Sequence, residues 1–185
     1  MRPRYISAVV LLVLGLAASF TLWRERFSGR EPEQPQATQM PSSKTRVLIL
    51  CTGNSCRSIM AEAIWRHLAA DRFEVHSAGT QPKGIHPLTL RVLAERGIST
   101  EGLRSKGLEE VDTSAIDLLV TVCDSARDTC PHLPGQFQRL HWPFDDPPAF
   151  PGSEEEKLAV FRRVRDEIWE KIASYLHKPP SSGAR

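Results

Sequence analysis

Apolar and polar positions along this chain follow two periods in turn, and the alternation starts at Arg46. Arg46 to Leu50, RVLIL, is a run of branched apolar residues that predicts a strand buried on both faces. Cys51 to Ser58 follows as a glycine-containing turn. From Ile59 to Ala70 the apolar residues Met60, Ala61, Ile64, Trp65 and Leu68 recur at helical spacing, so the first unit is strand, loop, helix. Phe73 to Ser77 predicts a second strand. Pro87 to Arg96 predicts a helix, with Leu88, Leu90, Val92 and Leu93 apolar and Gly97 as its stop. Leu118 to Val122 reads as a third buried strand and Phe137 to Trp142 as a fourth. The clearest helix runs from Ser153 to Leu176. Ser153 and Glu156 form a capping box, Leu158, Phe161, Val164, Ile168, Ile172 and Leu176 form an apolar stripe, and Pro179 ends the pattern.

Buried strands alternating with helices predict an α/β domain built on a parallel sheet. In such sheets ligands bind beyond the carboxyl ends of the strands. Cys51 follows the first strand and Cys123 the third, so this fold brings both thiols toward one rim.

The N-terminal pattern is different. Tyr5 to Trp23 is an uncharged run of 19 residues, preceded by Arg2 and Arg4 and followed by Arg24, Arg26 and Arg30. A helix of that length crosses a bilayer core. Residues 1–24 therefore read as a single-pass membrane anchor contacting the bilayer through residues 5–23, or as a cleaved signal segment. The small residues Gly15, Ala17, Ala18 and Ser19 suit cleavage, but the run continues through Phe20, Leu22 and Trp23, which favours retention. The arginines on the two sides are too evenly divided to set the orientation. Residues 25–44 are rich in Pro, Gln, Ser and Glu and read as a disordered linker. Residues 45–177 are the folded domain and 178–185 a polar tail.

Composition narrows the partners. Of 185 residues, 24 are Lys or Arg and 22 Asp or Glu, a balance that argues against nucleic-acid binding. Four cysteines are present: Cys51, Cys56, Cys123 and Cys130. Neither pair has the close spacing of a zinc site, and the histidines show no metal spacing, so no metal site is expected. A static Cys123–Cys130 disulfide is the structural alternative if the domain is exported. His76, His86 and His141 are candidates for the rim of the site or for structural roles.

The loop Cys51-Thr-Gly-Asn-Ser-Cys-Arg57-Ser58 carries the chemistry. A loop between a strand and a helix N-terminus points backbone N–H groups at an anion. Thr52, Gly53, Asn54, Ser55, Cys56, Arg57 and Ser58 would form the cradle. Gly53 permits the tight curve, Arg57 offers a planar fork of donors for a tetrahedral oxyanion, and Asn54 suits a left-handed backbone or ties the loop by side-chain hydrogen bonds. The positive field is expected to depress the Cys51 pKa and make its thiolate a nucleophile, with Ser58 as a hydroxyl donor to it. Cys56 reads as a packing residue. The plain alternative is a buried structural cysteine before an ordinary turn.

VLILCTGNSCRS resembles the active-site loop of the low-molecular-weight protein tyrosine phosphatase superfamily, which includes the thioredoxin-coupled arsenate reductases. The resemblance runs from about Arg46 to Leu176. It implies a three-layer α/β fold with a four-stranded parallel sheet flanked by helices, here preceded by one hydrophobic N-terminal helix. It also implies a general acid at Asp146, directly before Pro147, with Asp145 the weaker candidate. Phosphatases of the superfamily place tyrosines after this Asp-Pro; here Pro148, Ala149 and Phe150 follow. Cys123 to Cys130, CDSARDTC, resembles the redox pair of the reductases.

The implied reaction is reduction of arsenate to arsenite through a Cys51–Cys123–Cys130 relay regenerated by thioredoxin, with phosphate or sulfate as analogues in the loop and no tightly bound cofactor. The segment Asp124 to Thr129 is polar and expected to be loosely packed and mobile, so that the last disulfide can reach its reductant. Thiol turnover favours a cytoplasmic domain, with export after signal cleavage as the alternative. Two other functions stand beside this one: a phosphatase working through a Cys51 phosphocysteine, and a non-catalytic oxyanion-binding or redox-sensing domain at the membrane.

One position departs from the family pattern. Reductases of this type commonly bind potassium beside the loop, and the resemblance carries its side-chain ligands onto Asn54, Glu62, Ser77 and Lys106. The last is an aspartate in the pattern. Lysine has no lone pair to offer a cation when charged. Its ammonium is expected where the ion would be, paired with Glu62; the alternative is a solvated side chain.

Overall fold

The computed structural model describes residues 44–129, 133 and 135–177. The hydrophobic segment at 5–23, nearly all of the linker, Cys130 and the tail at 178–185 lie outside the described residues. Among those described, no helix is long and apolar enough to cross a membrane.

Four strands form one parallel sheet: β1 (Thr45–Cys51), β2 (Phe73–Gly79), β3 (Leu118–Thr121) and β4 (Gln138–His141), in the order β2-β1-β3-β4. Four helices flank it: α1 (Arg57–Ala69), α2 (Pro87–Glu95), α3 (Asp124–Thr129) and α4 (Glu154–His177). The strands and long helices expected within the domain at 45–177 are all present, displaced by a residue or two at their ends. The exception is α3, where the sequence suggested a loosely packed polar segment. A helix forms there because Ala126, at 0% exposure, gives it an apolar foot in the core while its charged residues face out.

The sheet order explains where the site lies. The chain leaves β1 for β2 on one side and returns past it to β3 on the other, so the carboxyl end of β1 is a switch point with a crevice beyond it. Cys51 is the last residue of β1 and pairs with Gly79, the last of β2. Val47 to Leu50 are buried on both faces, as RVLIL requires of a central strand.

Helix α1 is buried nearly all round, between the sheet and α4. Its Trp65 is fully buried, stacks on Trp142 at 5.7 Å, and meets Phe73 and Tyr175 edge-on at 5.6 and 5.5 Å. This cluster joins the first two strand–helix units to α4. The α4 stripe packs as its spacing predicts, with Leu158, Phe161, Val164, Ile168 and Ile172 buried. The capping box is formed: Ser153 N–H donates to Glu156 Oε2 at 2.7 Å and Glu156 N–H to Ser153 Oγ at 3.3 Å.

Helix α2 ends in a Schellman turn, with Gly97 at φ 68° and the Ile98 N–H returning to the Leu93 carbonyl at 3.1 Å. Leu90, read as part of its apolar face, is instead 38% exposed. The face actually buried is Leu88, Thr89, Val92 and Leu93. Arg165 lies in the buried face of α4, where its Nη1 donates to the Val92 carbonyl at 2.8 Å and closes the end of α2 onto α4.

Replacing Trp65 by Ala removes the centre of this aromatic cluster and is expected to cost about 3–5 kcal/mol of stability. Urea denaturation of the variant checks this, and Trp65→Phe should recover part of the loss.

Candidate active site

The loop that follows β1 is turned by its own carbonyls. Those of Cys51, Thr52, Gly53 and Ser55 accept the N–H groups of Thr80, Gln81, Lys83 and His86, at 2.8 to 3.2 Å. A trans peptide sends its N–H opposite to its C=O. Carbonyls held outward by the 80–86 segment therefore leave the loop's amides to face the thiol. The Asn54 amide does so, donating to Cys51 Sγ at 3.1 Å. Asn54 is in the left-handed region at φ 42°, as its residue type allowed.

Asn54 is fully buried and both polar atoms of its side chain are bonded. Nδ2 donates to Ser58 Oγ at 3.0 Å and to Ser77 Oγ at 2.8 Å, while Oδ1 accepts the Lys106 N–H at 2.8 Å. Ser58 Oγ lies 2.8 Å from Cys51 Sγ. With Asn54 donating to it, the hydroxyl has its own proton free for the sulfur.

Arg57 begins α1 and reaches across the crevice. Its Nη1 donates to the Phe144 carbonyl at 3.1 Å and its Nη2 pairs with Asp146 Oδ1 at 2.9 Å. Asp146 therefore stands at the same opening as the cradle. Asp145 points away, paired with Arg163 at 2.8 Å, so Asp146 is the carboxyl available to the site.

The Cys51 thiol does not follow the expected direction. Its pKa is raised, because burial opposes the charged form more than the Ser58 hydroxyl, the Asn54 amide and Arg57 together favour it. Arg57 makes the smallest of these contributions, and its fork is turned to Asp146 and the Phe144 carbonyl. Burial also pushes Cys56 up to about 11, which fits the packing role read from sequence.

Cys123 lies at the same rim, 6% exposed, with its Sγ 3.6 Å from Thr52 Oγ1 of the loop. It directly precedes α3. Cys130, its expected partner in the relay, lies outside the described residues. Of the three candidate histidines, His76 pairs with Glu74 and His86 caps α2, accepting the Leu88 N–H at Nδ1. His141 is nearer Cys123: Nδ1 is 2.8 Å from Thr121 Oγ1 and Nε2 is 3.0 Å from Asp124 Oδ1, at the first turn of α3.

The four candidate ion-site residues come together behind the loop. Ser77 Oγ donates to Glu62 Oε2, and Lys106 Nζ lies 3.5 Å from the same oxygen. Arg66, one turn along α1, meets Glu62 Oε1 in a charge contact without hydrogen-bond angles. Lys106 is 6% exposed, which overturns the solvated alternative, and burial holds its pKa below the ordinary lysine value while Glu62 pulls it up.

A profile described as low molecular weight phosphotyrosine protein phosphatase matches residues 46–179. The chain belongs to this family. An arsenate reductase of Halalkalibacterium halodurans is 42% identical over 133 residues, covering 72% of this chain and 96% of that protein. A solved arsenate reductase in a phosphate-binding state superimposes with a TM-score of 0.61 at 27% identity, over 71% of this chain and 96% of that one. A thioredoxin-dependent arsenate reductase of Corynebacterium glutamicum does so with a TM-score of 0.51 at 32% identity, over 71% and 63% respectively.

Within this phosphatase-family site, Gly79 is the residue that sequence reasoning missed. A Cβ there would lie 2.7 Å from the Thr52 carbonyl oxygen and 2.9 Å from the Asn54 nitrogen, both backbone atoms that cannot swing aside. A glycine ending a strand beside the loop was the available signal.

Two outcomes are expected. Ser58→Ala removes the hydroxyl donor to the thiolate and should move the pH midpoint of Cys51 alkylation upward, slowing alkylation at pH 7 by about tenfold. Gly79→Ala should displace the loop and impair Cys51 alkylation and oxyanion binding. Mass spectrometry of the Cys51 peptide after iodoacetamide treatment reads both.

Proposed function

We propose that this chain is an arsenate reductase that passes two electrons to arsenate through Cys51, Cys123 and Cys130, with thioredoxin as the external donor. The observation that carries this reading is the contact of Cys123 with Thr52, which puts a second thiol beside the cradle of the nucleophile. Hydrolysis through a cysteinyl intermediate needs water and no further sulfur. The arsenate reductases to which the chain is similar support the substrate, and the thioredoxin-dependent one supports the donor.

In the first step the Cys51 thiolate attacks arsenic in arsenate. An S–As bond forms, and the displaced oxygen leaves as it takes a proton from Asp146. The oxyanion takes over the Arg57 fork and the inward amides as its donors. In the second step the Cys123 thiolate attacks Cys51 Sγ. The S–As electron pair goes to arsenic, arsenic(V) becomes arsenic(III), and arsenite leaves a Cys51–Cys123 disulfide. In the third step Cys130 attacks Cys123, which frees Cys51 and leaves a Cys123–Cys130 disulfide. A reduced dithiol protein such as thioredoxin takes that disulfide and restores both thiols.

Phosphomonoester hydrolysis is the second reading, favoured by the family's shared nucleophile, arginine and acid. The phosphate analogue fits the same cradle. Against a phosphotyrosine substrate stand Pro148, Ala149 and Phe150, which follow the acid where an aromatic binding wall would be expected.

The purified full chain with thioredoxin, thioredoxin reductase and NADPH tests the proposal. Arsenate-dependent NADPH consumption is expected, lost in Cys123→Ser and reduced about 10²–10⁴-fold in Asp146→Asn. Hydrolysis of an aryl phosphate that survives Cys123→Ser, with no arsenate turnover in the unmodified chain, would mean a phosphatase.

A further inference from the structure

Lys106 and Asn54 are joined twice. The Lys106 backbone N–H donates to Asn54 Oδ1, and the Lys106 ammonium faces Glu62, whose carboxylate accepts from Ser77, which in turn accepts from Asn54 Nδ2. The main chain is fixed here as well, since the Gly79 N–H donates to the Lys106 carbonyl at 3.0 Å. Asn54 then carries this arrangement to the nucleophile through its amide on Cys51 and its side chain on Ser58.

Glu62, Ser77, Asn54 and Ser58 are all fully buried. A carboxylate at that depth needs a cation beside it. The chain supplies two, Lys106 and Arg66. The residues therefore do not fit the potassium ion that the family resemblance implies. An ion added here would meet a like charge on Lys106, and the one oxygen of Glu62 facing the net is already shared by Ser77 and the ammonium.

We propose that Lys106 is a tethered cation standing in place of bound potassium, and that it is a positioning residue for the Cys51 loop. Through Glu62, Ser77 and Asn54 it holds the loop in the conformation that presents the Asn54 amide and the Ser58 hydroxyl to the sulfur. An ion of this kind is bound from solution and lost by dilution; a tethered ammonium is present in every molecule. This inference rests on Cys51 as the nucleophile and does not depend on arsenate as the substrate.

Lys106 is the member of this net nearest to solvent, which makes the substitution testable. Lys106 borders a cleft of about 440 Å³ lined also by Arg46, Arg66, Glu74, His76 and Arg104. In the unmodified full chain, exchanging potassium for sodium at fixed ionic strength is expected to change neither the melting temperature nor the Cys51 alkylation rate. Lys106→Asp restores the family's ligand and should make both respond to potassium and not to sodium.

Lys106→Met keeps the length of the side chain without its charge. It should raise the pH midpoint of Cys51 alkylation and slow alkylation at pH 7 by about tenfold, because the net through Glu62 and Ser77 no longer holds the Asn54 amide and the Ser58 hydroxyl on the sulfur. Lys106→Arg should preserve the profile. The proposal is overturned if potassium selectively accelerates Cys51 alkylation in the unmodified chain, or if Lys106→Met leaves the pH profile unmoved. Neither readout uses arsenate, so failure of arsenate turnover would sink the reductase reading and leave this one standing.

Discussion

The shape of the cradle depends on one buried amide. Asn54 has no access to water, so each of its polar groups must find a partner in the protein or carry the full penalty of desolvation. The partners it finds lie on different elements: Ser58 on α1, Ser77 on β2, and Lys106 in the segment after α2. Satisfying one side chain thus fixes the relative position of strand, helix and loop. The left-handed backbone at Asn54 follows, and with it the amide aimed at Cys51. A loop defined in this way does not need the substrate to shape it.

Charge around the crevice is arranged for exchange. Arg57 pairs with Asp146, and burial opposes the thiolate form of Cys51 beside them. An arriving tetrahedral anion competes with Asp146 for the guanidinium. In the proposed reaction this leaves the carboxyl close to the oxygens of the ligand, where that reaction calls for an acid. The ion pair thus compensates two charges at the crevice and keeps the Asp146 carboxyl beside the cradle.

The parts of this arrangement visible in the sequence are those made by neighbours in the chain. RVLIL, the loop with Cys51 and Arg57, the capping box at Ser153 and the α4 stripe all depend on spacing, and the structure reproduces them. What stayed hidden depends on approach between distant segments. Gly79 is required only because Thr52 and Asn54 lie against it. Arg165 reads as a surface charge until Val92 offers it a carbonyl. Leu90 fits the apolar pattern of its helix but lies on a face that no described element covers. The Cys51 thiol was misjudged for a related reason: the loop motif announces its donors, while the depth of burial that opposes them belongs to the whole fold. Lys106 is intermediate. Its pairing with Glu62 could be anticipated from a family pattern, but its burial could not.

The burial of Cys56 has a consequence for the sulfur chemistry. A relay of thiols in a confined space is exposed to wrong pairings, since any thiolate within reach of a disulfide can attack it. Cys56 lies in the same loop as the nucleophile, and burial pushes its thiol up to about 11, against attack as a thiolate. Burial opposes ionisation of Cys51 as well, so depth masks both thiols of the loop, and the Asn54 amide and Ser58 hydroxyl aimed at Cys51 Sγ act as the local deprotection that singles out one of two identical groups.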